Sequence, residues 1–219
     1  MIDKAAWRSL RALGRAGVAK DLDLRVEGLE HLPNSGPVIL AARHYHHLYD
    51  GCAIFATIPR QVQVIVGLDW IERPIALKGM RAACRSAGWP VVFRSNTQND
   101  RAIRLHTLRT AIAESLGILR QGRILLVFPE GYPTIDPHGS PKTTDDEFLP
   151  FHSGFARIAI DAWADRIPAR IVPLGFHYRR SNRWQVKMRF GEPVGPCPEV
   201  RPAVLCAEIE RRVMSLSQA

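Results

Sequence analysis

Short apolar runs alternate along this chain with longer segments of helical period, and that alternation limits the fold more than any other feature. The strand candidates are Leu24–Val26, Val38–Ala42, Val62–Gly67, Val91–Phe93, Ile124–Phe128, Ile171–Phe176 and Gln185–Phe190. The helix candidates between and after them are Gly51–Ala56, Pro74–Ala87, Asp100–Gln121, Gly154–Asp165 and Ala203–Ser217. Apolar strands joined by helical connections predict an α/β fold, a single domain with a central, largely parallel sheet flanked by helices. At 219 residues the chain can bury one full core. There is no internal repeat and no low-complexity block. The polar, proline-bearing segment Tyr132–Thr144 is expected at the edge of the sheet as a lid or insertion.

Ahead of that domain, residues 1–20 read as a basic amphipathic helix, with one domain over 21–219. At helical spacing Lys4, Arg8, Arg11 and Arg15 share an arc of roughly 60°. Trp7, Leu10, Leu13 and Ala6 fill the adjoining arc. Two readings follow: an interfacial helix whose apolar arc enters lipid while its cations meet phosphates, or a helix packed on its own domain. The balance of 30 Lys and Arg against 21 Asp and Glu, net +9, favours an anionic partner. Nucleic acid is not expected, because the basic residues are dispersed and lack an aromatic stacking run or zinc-finger spacing. The four cysteines form no CxxC pair, which suits a reducing compartment. No apolar run reaches the roughly 18 residues of a membrane span. The expected location is the cytoplasmic face of a membrane, held peripherally.

Two clusters carry chemistry. The first, Arg43-His44-Tyr45-His46-His47-Leu48-Tyr49-Asp50, follows the strand Val38–Ala42. A histidine steered by a carboxylate at a strand's end can take a proton from a hydroxyl near neutral pH. Either His44, directly after the strand, or His46, at i and i+4 from Asp50, could be that base. A metal site is disfavoured, since a His-x-His-x-Asp-His ligand pattern would need other residues where Leu48 and Tyr49 stand. The second cluster, Phe128-Pro129-Glu130-Gly131, follows the strand ending near Val127. Its glutamate could face a substrate or hold a loop.

These clusters and their surroundings resemble the PlsC-type glycerolipid acyltransferases, also called lysophospholipid or 1-acylglycerol-3-phosphate acyltransferases. The resemblance begins with Val26-Glu27-Gly28-Leu29-Glu30-His31-Leu32-Pro33 and Gly36-Pro37-Val38-Ile39-Leu40, which look like the lead-in to the family's first motif. Gly88-Trp89-Pro90-Val91-Val92-Phe93-Arg94 looks like the second motif, and Phe128-Pro129-Glu130-Gly131 is the third without change. Phe151-His152-Ser153-Gly154, Ile171-Val172-Pro173-Leu174 and Phe190-Gly191-Glu192-Pro193 continue the series. Arg43 stands where the family has asparagine, and five residues rather than four separate His44 from Asp50. Tyr132-Pro133-Thr134 replaces a Thr-Arg-Ser whose arginine helps hold a phosphate.

The resemblance implies acyl transfer from acyl-CoA or acyl carrier protein to a lipid hydroxyl, with His44 favoured over His46 as base and Asp50 orienting it. Arg94, Glu130 and Gly131 are the expected substrate-binding residues, Glu130 either at the acceptor or organising its pocket. No metal or bound cofactor is implied; the acyl thioester is a substrate, and an anionic membrane surface is the expected partner. Direct attack needs no enzyme nucleophile, so Cys52 is expected to be inert. The departures leave two alternatives open: an impaired lipid-binding relative, or an acyltransferase for a non-phosphorylated alcohol.

Overall fold

The strands β2 (Val38–Ala42) and β6 (Ile124–Val127) are wholly apolar and buried along their length. A strand of this kind belongs inside a parallel sheet covered on both faces, and the two pair in parallel at its middle. The computed structural model describes residues 4–71, 73–93 and 101–219. Around the central pair lie β1 (Leu22–Glu27), β3 (Val62–Val64), β7 (Arg170–Arg179) and β8 (Trp184–Phe190). The six strands run in the order β1-β8-β7-β2-β6-β3, parallel except for β7 against β8.

Alternate residues of each strand point to opposite faces, and the core divides accordingly. Val38, Leu40 and Ala42 of β2 face one apolar cluster, together with Trp7 of α1 (Lys4–Asp21) and Ala53 and Ile54 of α2 (Tyr49–Thr57). Ile39 and Ala41 face the other, filled from α4 (Arg101–Arg120), α5 (Gly154–Ala164) and α6 (Pro202–Leu216). The expected strand Val62–Gly67 is two strands. Val62–Val64 pairs with β6, while β4 (Val66–Gly67) leaves the main sheet and pairs with β5 (Val91–Val92). Between β4 and β5 runs α3 (Pro74–Ala87), with the limits expected from its apolar spacing.

The N-terminal helix packs on the domain. Trp7 is 6% exposed, stands edge-on to Phe55 at 5.7 Å, and donates from its indole to the carbonyl of Pro59. Trp7 is therefore a core residue and not a lipid anchor. Gly14 and Gly17, which cost helix propensity, permit the close approach to α2. A Cβ on either would lie 2.9 Å from Cys52, from its carbonyl oxygen and its sulfur respectively. Cys52 is partly covered by this contact, and burial raises its thiol pKa. Among the described residues no helix is long and apolar enough to cross a membrane.

Candidate active site

Register places the two motif clusters together. Ala41 of β2 pairs with Val127 of β6, so His44 and Glu130 each follow three residues beyond a shared rung. The His44 N–H donates to Glu130 Oε1 at 2.9 Å. This is the carboxyl end of parallel strands, where open α/β sheets hold their ligands.

Beyond β2 the chain turns sharply, and Asp50 in the first turn of α2 organises the turn. Its Oδ2 accepts from the main-chain N–H groups of Tyr45 at 2.8 Å and His46 at 3.1 Å. The same oxygen lies 3.0 Å from His44 Nδ1, while Oδ1 accepts from the Tyr178 hydroxyl at 2.8 Å. The Asp50 side chain is 1% exposed and that of His44 17%. An acceptor surrounded by donors requires the hydrogen of His44 on Nδ1, leaving the lone pair on Nε2. Phe128 stacks on the His44 ring at 4.1 Å and fixes its plane.

His46 is arranged differently. Asp50 takes its main-chain N–H and not its ring, so the i, i+4 spacing is satisfied through the backbone. The His46 ring turns toward the start of α2, where Nδ1 accepts from the N–H groups of Leu48 and Tyr49 at 3.3 and 3.4 Å. Burial, aided by neighbouring His47, pushes its pKa down to about 4. This ring caps a helix. Among the described residues no cluster of three His, Cys, Asp or Glu side chains is placed to hold a metal ion.

Glu130 holds the second half of the site. Its Oε2 meets Lys142 Nζ at 2.6 Å, both side chains fully buried, and accepts from the N–H of Leu149 at 3.2 Å. Both carboxylate oxygens thus bind the protein itself. Of the two roles expected for Glu130, the arrangement is that of an organiser. Gly131 closes the turn by donating to the Phe128 carbonyl at 3.0 Å, with φ of 77°, a conformation that favours glycine.

The segment 132–144 does not lie at the sheet's edge. Thr134 and Ile135 donate to the carbonyls of His44 and Tyr45, and Lys142 Nζ also reaches the His44 carbonyl at 2.9 Å. Because β6 lies inside the sheet, its outgoing loop must cross the ends of its neighbours, and so it braces the histidine turn. Arg43 fills the space behind that turn. It is 2% exposed, donates to the carbonyls of Phe176 and Asp145, and lies over the ring of Phe148 at 4.1 Å. Burial lowers its pKa, while Glu130 opposes that shift. The charged side chains buried among the described residues therefore balance: Arg43 and Lys142 against Asp50 and Glu130.

The sequence reading missed Tyr178 and Lys142. Tyr178 shares the parity of Val172, Leu174 and Phe176 on β7 and reads as another core position. Lys142 is a single cation in a polar loop, with nothing local to mark it. Arg94 lies outside the described residues. A cleft of about 770 Å³ is lined by Arg81, Trp89, Phe93 and Glu114 among others, and His44 and Asp50 do not line it.

A family model described as Acyltransferase matches residues 23–177, most of the chain and both motif clusters. The chain belongs to the acyltransferase family. Comparison with curated proteins finds no match. Among solved structures the acyltransferase fold is shared with PlsC of Thermotoga maritima, described as a 1-acyl-sn-glycerophosphate (LPA) acyltransferase. The TM-score is 0.65 at 21% identity, over 97% of this chain and 78% of that one. The family model spans the strand-end turns that carry His44, Asp50 and Glu130, while the structural match extends to the flanking helices.

Proposed function

We propose that this acyltransferase moves a fatty acyl group from acyl-CoA or acyl carrier protein to the hydroxyl of a lysophospholipid or related lipid, as a peripheral enzyme on the cytoplasmic face of a membrane. One observation carries the reading: the His44–Asp50 pair, with the carboxylate held by three further donors and His44 Nε2 left without a protein partner among the described residues. The acceptor hydroxyl gives its proton to Nε2 as its oxygen attacks the thioester carbonyl. Charge on the imidazole is offset by Asp50. The tetrahedral intermediate collapses by breaking the C–S bond, and the departing sulfur recovers the proton from His44. No enzyme nucleophile or cofactor enters the scheme.

The departures from the family pattern do not disable this arrangement. The extra residue between His44 and Asp50 is taken up in a turn whose N–H groups Asp50 itself binds. Arg43 is an internal brace, so its presence argues against an impaired relative. We assign Arg94 to the acceptor head group on its motif position alone. Similarity to the Thermotoga maritima LPA acyltransferase favours a phosphorylated acceptor, and Pro133, standing where the family has arginine, favours a neutral one.

Thioester consumption with a panel of lysophospholipid and neutral alcohol acceptors tests the proposal. His44→Ala should lower turnover by at least about 100-fold with circular dichroism unchanged, while His46→Ala retains turnover within about tenfold. No consumption with any acceptor, or full activity in the His44 variant, overturns it.

A further inference from the structure

Among the described residues two basic helices differ in what they bury: α1 keeps Trp7 in the core while Leu13 stays exposed, and α3, Pro74–Ala87, buries Cys84 alone. Ile75 is 87% exposed, and Met80 38%. The helix contains no acidic residue, and Lys78, Arg81 and Arg85 recur along it, with Arg73 at its N-cap. Just before it, Trp70 is 41% exposed with its indole N–H donated to the Gly67 carbonyl at 2.9 Å. That bond satisfies the indole's polar edge locally, and the ring, with His138 stacked on it, remains partly exposed.

We infer that Trp70, Arg73 and the first half of α3 form the surface that seats the enzyme on an anionic lipid bilayer. Three observations point to lipid. Exposed Trp and Ile beside cations match the layering of a bilayer interface, where aromatic rings sit at head-group level and apolar side chains enter below. Within α3 the charge is of one sign, Glu72 being the one acidic residue in the sequence from Trp70 to Met80, and the chain carries net +9, which suits an anionic surface. The patch is also joined to the candidate active site. Trp70 stacks at 4.9 Å on His138, within the same loop whose Thr134 and Lys142 bind the His44 carbonyl. Seating this face on a bilayer brings the His44 turn toward the membrane that would contain the acceptor. This inference rests on the lipid acceptor proposed above.

The N-terminal helix, by contrast, has spent its tryptophan on the core, and Arg11 donates its Nε to the Phe55 carbonyl at 3.3 Å. Its Arg8, Arg15 and Lys20 are exposed.

Flotation with phosphatidylglycerol–phosphatidylcholine vesicles, run beside a pure phosphatidylcholine control, tests the assignment. The variants are Ile75→Asp, the pair Arg73→Glu with Lys78→Glu, and the comparison pair Arg8→Glu with Arg15→Glu on α1. Each lysine or arginine at such a surface contributes enough that reversing two should weaken binding by more than about tenfold. Ile75→Asp should weaken it severalfold, and the α1 pair by less than about threefold. Transfer to a long-chain lysophospholipid in vesicles should fall with binding in the α3 variants. Transfer to a short-chain acceptor below its micelle concentration should persist, which separates loss of docking from failure of the chemistry. The assignment is overturned if the α3 variants bind anionic vesicles as the unaltered protein does, if the α1 pair carries the loss instead, or if the α3 variants merely abolish a dimer seen by sedimentation.

Discussion

Asp50 and Glu130 are both buried, both sit beyond the carboxyl ends of adjacent strands, and both hold His44. Asp50 takes the imidazole ring; Glu130 takes the main-chain N–H. The rest of the Asp50 shell consists of neutral donors, two amides and a phenol, so its charge is matched by no buried cation in direct contact. Glu130 instead closes on Lys142 in an ion pair sealed from solvent. The difference separates two tasks. A carboxylate without a cationic partner remains able to stabilise charge arriving on a histidine, whereas one already neutralised can only hold geometry.

Breaking the sealed pair should give the largest change in stability. Glu130→Gln leaves Lys142 as an unpaired buried cation, at a cost of about 3–5 kcal/mol, readable by denaturant unfolding. Adding Lys142→Met should recover most of that loss, because replacing both partners is far better tolerated. If Glu130→Gln instead keeps its stability and loses turnover, Glu130 belongs to the chemistry and the contrast with Asp50 fails.

Asp50→Asn should lower turnover by about 100-fold, equivalent to about 2.7 kcal/mol. Loss of the carboxylate removes both the orientation of the ring and the charge that offsets imidazolium. The melting temperature should move little, since the amide oxygen can still accept from Tyr45 and His46. A variant that unfolds would place Asp50 with Glu130 as a structural group.

Tyr178→Phe sharpens the comparison by removing one neutral donor from Asp50. A hydrogen bond to a charged group is worth about 1.5–3 kcal/mol, but three other donors remain. A loss of turnover near tenfold is expected, with the acid limb of the pH profile displaced. A loss in stability alone, with the profile unmoved, would reduce Tyr178 to packing.

The smallest effect concerns His46. Its folded pKa of about 4 lies below the ordinary 6.5, so protonation favours the unfolded chain. Its contribution to stability is complete above about 6.5, falls as pH drops through that value, and is exhausted below about 4. His46→Asn keeps an acceptor for the helix amides and removes the titration. Unfolding curves between pH 7 and 4 should then lose a slope amounting to roughly 1–3 kcal/mol.

Much of this protein was legible in its residues taken locally. The limits of Val38–Ala42 and Pro74–Ala87 followed from apolar runs and turn residues, as did the parallel sheet and the order of the motifs. The two carboxylates and the histidine cluster were visible because strand-end turns carry their polar residues within a few positions of an apolar strand. Three matters were settled only by the folded chain, and each depends on groups far apart in sequence. His44, and not His46, meets Asp50 through its ring, because the turn's amides and the start of α2 claim the rest. Tyr178 reaches Asp50 from 128 residues away, because β7 runs on past the end of β2. Trp7 lies in the core, because glycines on α1 admit α2. Periodicity records which face of an element is apolar; it carries no information about whether another element or a different phase covers that face, and so α1 and α3, alike in sequence, could be told apart only by their neighbours.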